Sequence, residues 1–273
     1  MKTAVIGLGI IGASLARGLK AQGLSVDGYD LQQETLDFAL SSGYIDGIAQ
    51  DISSYDNVFL AVPPKATVSL LENAVFKDGA FVADICGVKE EIEKAVYAAP
   101  RNYRYVGLHP MAGKETSGIH SSQEKLFRGA NLIITVAEKT DITALNEARE
   151  FAHLLGFGKI VECTAEEHDR KIALTSQLAH IVSNAYVKSN QVSGCDGFTG
   201  GSFQDMTRIA GVDERMWSEL YMLNRPYILE ELDGLIKHLT VYKDAIADGN
   251  EDDLRRALAE GKEIRSKIKR KND

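Results

Sequence analysis

Cysteine is scarce in this chain. Cys86, Cys163 and Cys195 are odd in number, far apart and without the paired spacing of a zinc site or redox couple. They read as reduced thiols, and the protein as cytoplasmic. No ligand set for a metal-centred mechanism is visible, so no metal is assigned. Long apolar runs are missing too, since no stretch approaches the roughly 18 residues of a membrane span. The amino terminus enters Thr3-Ala-Val-Ile6 after one lysine, is soon broken by glycines and shows no small-residue cleavage site, so no signal peptide is expected. Positive charge is in deficit, with 31 Lys and Arg against 39 Asp and Glu. The resulting net charge of -8 argues against nucleic acid or an anionic membrane surface as a partner. The only basic run, Lys267-Ile-Lys-Arg-Lys271, lies near the chain end and reads as a solvated helix terminus. Internal repeats and low-complexity segments are absent.

What is present is the composition of a soluble globular protein, 44% apolar and 26% charged. At about 150 residues per domain, the 273-residue length suggests two domains. Up to residue 163, short β-rich runs alternate with helical patterns. Strands are expected at Thr3–Ile6, Val26–Tyr29, Val58–Val62, Phe81–Ile85, Tyr105–Leu108, Leu132–Val136 and Lys159–Glu162. Helices are expected between them at Ala13–Gln22, Gln33–Ser42, Ala66–Ala74, Glu90–Ala98 and Ile142–Leu155. This alternation predicts an α/β domain, 1–163, with a doubly wound, mainly parallel sheet covered on both faces.

From Thr164 to the end the pattern is helical, defining a second domain over 164–273. Thr164-Ala-Glu-Glu167 is a capping box that starts a helix running to about Ser189. A glycine-rich loop, Ser193–Gly201, separates it from a short helix carrying Arg208. Asp213 is placed to cap a helix containing Trp217, and Pro226 fits the first turn of a long one. Ile228, Leu232, Leu235, Leu239, Tyr242 and Ile246 form a seam at spacings of four and three. Leu254, Leu258, Gly261, Ile264 and Ile268 line a last helix. Both stripes fit either an intramolecular core or a dimer interface.

Gly7-Leu-Gly-Ile-Ile-Gly12 follows a strand and opens a helix. Gly7 allows the tight turn, Gly9 lets the backbone approach a pyrophosphate, and Gly12 lets helix and strand pack closely. Ile10 and Ile11 supply N–H groups at the positive end of that helix. Asp30 closes the second strand, eighteen residues after Gly12, where a carboxylate can hold the adenosine ribose hydroxyls. It would repel a 2′-phosphate, and Leu31-Gln-Gln33 offers no arginine to receive one, so NAD is the expected cofactor. Val62 and Pro63, in Ala61-Val-Pro-Pro64, either contact the nicotinamide half or simply stop a strand.

Hydride transfer from an alcohol releases a proton, and imidazole is the side chain suited to take it near neutrality. His109 closes a strand at the edge where ligands bind in open α/β sheets, and is either a base or an ordinary loop residue. Ser176 and His180, four residues apart, face the same way on a helix, with His168 on roughly the same line two turns earlier. They form either a cleft wall or the wet face of that helix. Arg208 follows a glycine loop, and either clamps an anionic substrate or pairs with Asp205.

Gly7–Gly12 with Asp30, His109-Pro-Met-Ala-Gly113 with Glu115 and Ser117-Gly118, His168-Asp169, Ser176…His180, and Gly200-Gly201…Asp205-Met-Thr-Arg-Ile-Ala210 with Met216-Trp217 occur here in one order. In that order they resemble the prephenate and arogenate dehydrogenases of tyrosine biosynthesis, over the whole chain. The resemblance implies a Rossmann-type domain, a helical domain that dimerises, and an active site in the cleft between them. It implies that His109 polarises the ring 4-hydroxyl and accepts its proton as hydride leaves for NAD, with loss of the ring carboxylate as CO2. By the same resemblance Arg208 holds a substrate carboxylate, Ser176 and Gly201 line the pocket, and His180 lies near the pyruvyl side chain. The expected protein is a cytoplasmic homodimer that oxidises prephenate to 4-hydroxyphenylpyruvate.

Three departures from the family pattern stand out. Relatives carry Gly-Ser-Val-Lys where this chain has Cys86-Gly-Val-Lys89, so Gly87 stands where a serine touches the substrate hydroxyl. Gln177 and Ala179 replace a histidine and a proline. The chain ends at Asp273, and the expectation is no regulatory ACT domain or chorismate mutase fusion, so that any tyrosine feedback acts at the active site. The rivals are an arogenate dehydrogenase, a β-hydroxyacid dehydrogenase using Lys171 or Lys188, and a non-catalytic NAD-sensing module.

Overall fold

A computed structural model of the chain describes residues 1–113 and 116–268. Glu115 lies outside the described residues, as does the basic run beyond Ile268. The first compact unit, Met1–Asn224, is built on one eight-stranded sheet. Its strands are β1 (Thr3–Ile6), β2 (Val26–Tyr29), β3 (Gly47–Ile48), β4 (Asn57–Leu60), β5 (Phe81–Asp84), β6 (Arg104–Pro110), β7 (Asn131–Thr135) and β8 (Lys159–Cys163). The spatial order is β3-β2-β1-β4-β5-β6-β7-β8, parallel throughout except where β6 meets β7. The first six strands follow the order of a dinucleotide-binding sheet, with the reversal of winding between β1 and β4.

The strands read as continuous apolar runs because both faces are covered. Val5, Phe59, Phe81 and Val106 belong to one core, and Ala4, Ile6, Val58, Leu60 and Val82 to the other. Helices α1 (Ile10–Ala21), α2 (Gln33–Ser41), α3 (Pro64–Asn73), α4 (Glu90–Tyr97) and α5 (Ile142–Leu154) make the crossovers. β3 has no counterpart in the sequence reading, since two residues, one of them glycine, carry no period.

β6 runs on past Leu108, where the sequence reading ends it. β5 pairs with β6 only as far as Asp84↔Gly107, whereas β7 continues to His109↔Ile133 and Pro110↔Leu132. His109 therefore stands beyond the carboxyl end of β5, held by β7 on its other side.

After β8, Thr164 Oγ1 accepts from Glu167 N at 3.1 Å and starts α6 (Ala165–Ile172). A π-helical segment over Ala173–Leu178 leads into α7 (Ala179–Tyr186). Its wider i→i+5 turns shift the register of everything that follows. His168 consequently does not share the line of Ser176 and His180. It is buried at 1% exposure, while both of the others are half-buried. α8 (Gly201–Thr207) and α9 (Glu214–Leu223) complete this unit, and Arg208 caps the end of α8 rather than lying within it.

The second unit starts at Arg225 and holds α10 (Arg225–Ala247) and α11 (Glu251–Lys267). Tyr242 joins them, its hydroxyl donating to Ala257 O at 3.2 Å, and Gly261 leaves it room. Leu239, Ile246, Leu258, Ile264 and Ile268 all remain more than half exposed. Ile228 is buried and Leu232, Leu235, Tyr242 and Leu254 are half-buried, so packing takes up part of the two stripes and leaves the rest exposed.

Candidate active site

The glycine turn is forced by close approach. Gly7 has φ +93°, and a side chain there would strike the Ala61 carbonyl and Val62 Cγ1. A Cβ on Gly12 would collide with Gly7 O, so α1 can follow β1 at this distance only with glycine. At Gly9 a Cβ would meet nothing within 4 Å, leaving an open face over the amino end of α1 where a pyrophosphate fits. Ile10 and Ile11 form the first turn of that helix. Asp30 lies beside the same turn. Its Oδ2 accepts from Leu8 N at 2.8 Å and its Oδ1 from Gln32 N at 3.0 Å. Val62 packs on Gly7, and Pro63 precedes α3 as its N-cap residue. These residues form a cradle that fits a dinucleotide.

His109 is not alone. Its Nδ1 lies 2.8 Å from Nε2 of His168, whose Nδ1 lies 2.6 Å from Asp169 Oδ1. The Asp169 carboxylate also accepts from the backbone N–H groups of Lys89 and Glu90, each at 2.9 Å, and so caps α4. Those two donors fix Asp169 as an acceptor, hence His168 donates from Nδ1. A neutral His168 then accepts at Nε2, and His109 donates from Nδ1. This leaves the lone pair of a neutral His109 on Nε2. A Cβ built on Gly87 would lie 3.8 Å from that nitrogen.

The electrostatics keep the pair neutral. Burial, His168 and the Lys89 ammonium hold His109 well below its usual range. Burial also lowers His168, against the upward pull of Asp169. Lys89 is itself fully buried, paired with Asp84 at 2.5 Å, and Asp84 accepts from the Tyr105 hydroxyl at 2.6 Å. The cation therefore stays near the two imidazoles without a route to solvent.

His180 lies in a second cluster. Its Nδ1 donates to Ile209 O at 2.9 Å, since a carbonyl can only accept, and its ring lies 4.0 Å from that of Trp217. Ser183 donates to Met206 O at 2.7 Å and Asn184 to Ala210 O at 3.1 Å. Three successive polar contacts thus bind α7 to the segment that bears Arg208, whose side chain is exposed. Gly201 begins α8 with open space about it, and Ser176 sits in the π segment.

One helix touches all three groups. On α9, Trp217 packs against His180 with the rings tilted at 41°, Leu220 lies 3.9 Å from a Cβ built on Gly87, and Glu219 accepts from Lys65 N at the start of α3. Sequence reasoning named His168 beside Ser176 and His180 but missed its contact with His109, and it gave Lys89 and Glu219 no part in the site. Only the adjacent His168-Asp169 pair within a capped helix hinted at the first.

Such a site, an imidazole base at the carboxyl edge of a dinucleotide-binding sheet, is that of an NAD-dependent dehydrogenase. A model of the prephenate dehydrogenase nucleotide-binding domain matches residues 15–161, and one of the prephenate dehydrogenase dimerization domain matches 164–260. The chain belongs to the prephenate dehydrogenase family. It is 31% identical to the cyclohexadienyl dehydrogenase of Zymomonas mobilis over 99% of this chain and 97% of that protein. With the prephenate dehydrogenase of Bacillus subtilis it shares 30% identity over 95% of this chain and 74% of the relative. The A. aeolicus prephenate dehydrogenase structure in complex with hydroxyphenyl propionate and NAD+ superposes with a TM-score of 0.85 at 28% identity, covering 98% of both chains. Synechocystis arogenate dehydrogenase gives 0.78 at 28% identity, covering 98% of this chain and 99% of its own. Among the described residues no helix is long and apolar enough to cross a membrane.

Proposed function

We propose that the protein is an NAD-dependent prephenate dehydrogenase, converting prephenate to 4-hydroxyphenylpyruvate and CO2. The observation that carries this reading is the His109–His168–Asp169 chain, which leaves a half-buried, neutral imidazole with its lone pair on Nε2. His109 takes the proton of the ring 4-hydroxyl at that atom while Asp169, through His168, holds the ring in its tautomer. NAD, cradled by Gly7, Gly9, Ile10, Ile11, Gly12, Asp30, Val62 and Pro63, supplies the hydride acceptor. Arg208 holds a substrate carboxylate by charge-assisted hydrogen bonds, and Ser176, His180 and Gly201 line the pocket. Leu220 and Trp217 cover it and exclude water. Loss of the ring carboxylate produces an aromatic ring, which makes the oxidation effectively irreversible.

The division of labour falls at 163/164, with cofactor residues before it and substrate residues after. The exposed stripe of α10 and α11 pairs two copies into a homodimer, in keeping with the dimerization-domain match. A cytoplasmic location fits the reduced cysteines, all three of which are free. The Synechocystis neighbour supports a second reading, arogenate as substrate, with the same chemistry at the ring. NADH or NADPH appearance with prephenate and with arogenate, each offered NAD or NADP, tests both. Turnover of neither would refute the assignment.

A further inference from the structure

We infer that His168 is a proton acceptor in series with His109: as His109 takes the hydroxyl proton at Nε2, its Nδ1 proton passes to His168 Nε2, and the charge rests beside Asp169. The inference rests on the reading of His109 as the base of a hydroxyl oxidation. It differs from a tautomer-holding role in where the charge ends.

The bonds balance. The substrate O–H breaks and a His109 Nε2–H forms, while His109 Nδ1–H breaks and His168 Nε2–H forms. The oxygen electron pair stays with the substrate to make the carbonyl, as hydride departs to the nicotinamide. The protein neither gains nor loses electrons.

Three observations favour the second transfer. The Nδ1···Nε2 distance of 2.8 Å is a hydrogen bond already made, so the proton needs no rearrangement. A charge on His168 lies 2.6 Å from a carboxylate oxygen, while one on His109 has no such neighbour among the described residues and stays on the far ring, 5.0 Å away between centroids. Asp169 is prepared for that charge, because two backbone N–H groups at the start of α4 already hold it as an anion. Lys89, paired with Asp84, opposes a charge on either ring and so does not by itself select between them. His168 is sealed at 1% exposure, so a proton can reach it only through its neighbours. His168 is thus a positioning residue that acts through His109, and its contribution is to carry charge off the reacting edge.

The test is a solvent-deuterium proton inventory on the full-length protein in single turnovers, with NAD saturating. The substrate is deuterated at the hydride-bearing carbon to keep that step limiting. The native enzyme should give a bowl-shaped inventory, the signature of two protons in flight. His168→Gln supplies an amide oxygen that can accept from His109 Nδ1–H but cannot be protonated. It should give a linear inventory and a kcat lower by roughly tenfold to a hundredfold, less than the loss of a base that touches substrate. KM and NAD affinity should stay within twofold. A linear inventory in the native enzyme overturns the relay while leaving the proposed reaction intact. So does a His168→Gln variant with native kcat, or one that loses substrate and cofactor binding together. If the variant does not fold, the native inventory decides alone. Absence of turnover with both prephenate and arogenate overturns the relay and the assignment together.

Discussion

The carboxylate of Glu219, on α9, accepts a 2.8 Å hydrogen bond from Lys65 N in the first turn of α3. The N-cap position of α3 is Pro63, which offers no side-chain acceptor, so a residue 154 positions away meets the helix's unpaired N–H instead. Because Val62 and Pro63 lead into that turn, the bond ties α9 to the proposed cofactor loop.

Glu219→Ala should therefore cost about 1 kcal/mol, the scale of a lost helix cap. It should also raise KM for NAD several-fold, with Glu219→Gln intermediate in both. Thermal unfolding with and without NAD measures the first effect and steady-state kinetics the second. An unchanged melting temperature and an unchanged KM would reduce the contact to a surface coincidence.

The proposed basis of cofactor choice is Asp30, but the structure alters which variant tests it. Asp30 also holds Leu8 N, so Asp30→Ala would loosen the glycine turn as well as remove charge. Asp30→Asn keeps an acceptor for Leu8 while relieving repulsion of a 2′-phosphate. The expected outcome is a native preference for NAD that falls at least tenfold in Asp30→Asn, about 1.4 kcal/mol. Efficiency ratios for NAD and NADP in the two proteins decide it, and a native enzyme that prefers NADP contradicts the reading.

Much of this architecture is legible in the sequence because its signals are local. β1 and β4 are apolar on both faces after a polar first residue, Thr3 or Asn57, and Gly7–Gly12 with Asp30 specifies its own turn. The capping contacts at Thr164 and Asp213 are likewise written within three residues. What could not be read is long-range or aperiodic. The partner of His109 is 59 residues away and that of Lys65 is 154. The π segment leaves no compositional trace, so helical arithmetic put His168 on the line of Ser176 and His180. The bonds that tie His180, Ser183 and Asn184 to the Arg208 segment end on backbone carbonyls, which no residue pattern announces.

Gly87 marks a space beside His109 Nε2 that this chain leaves unfilled by side chain. A Cβ there makes only ordinary contacts, at 3.8 Å to His109 and 3.9 Å to Leu220, and the residue is not among the glycines with positive φ. Gly87→Ser should fold as stably as the native protein or better, within about 1 kcal/mol. Its hydroxyl should add a substrate contact and raise kcat/KM. Gly87→Val, with two further carbons against the imidazole, should lower it. Equal kcat/KM in all three proteins would show that the space is remote from the substrate.

Arg208 is exposed at the end of α8 and is positioned by the bonds from α7 rather than by its own burial. Its removal should weaken substrate binding by about 2 kcal/mol, the lower end for truncating one partner of a buried charged pair, since only bound substrate would cover it. That is roughly a thirty-fold rise in KM. NAD affinity should be unaffected, and Arg208→Lys should recover only part of the loss because the fork-shaped contact is missing. An unchanged KM would assign the arginine to the protein's own ion pairs.

In the proposed reaction His109 is the base, and its removal has two separable consequences. His109→Asn should lower kcat by about 10²–10⁴, the range for a positioned acid–base group, with NAD binding intact. The second consequence is in the pH dependence. Burial, His168 and Lys89 depress the native pKa of His109, so the base stays neutral below the usual histidine range. In the native enzyme kcat should hold steady as pH falls through about 6.5 and decline only below it, as an imidazolium cannot accept the hydroxyl proton. Stability should follow the same sign. A histidine held neutral in the fold takes up its proton in the unfolded chain first, so its contribution is whole above the unfolded pKa of about 6.5 and is lost as pH falls toward the depressed native value. His109→Asn should accordingly flatten the fall in melting temperature below pH 6.5 relative to the native protein. A native acid limb centred above pH 7, or a variant with near-native kcat, would remove His109 from the role of base.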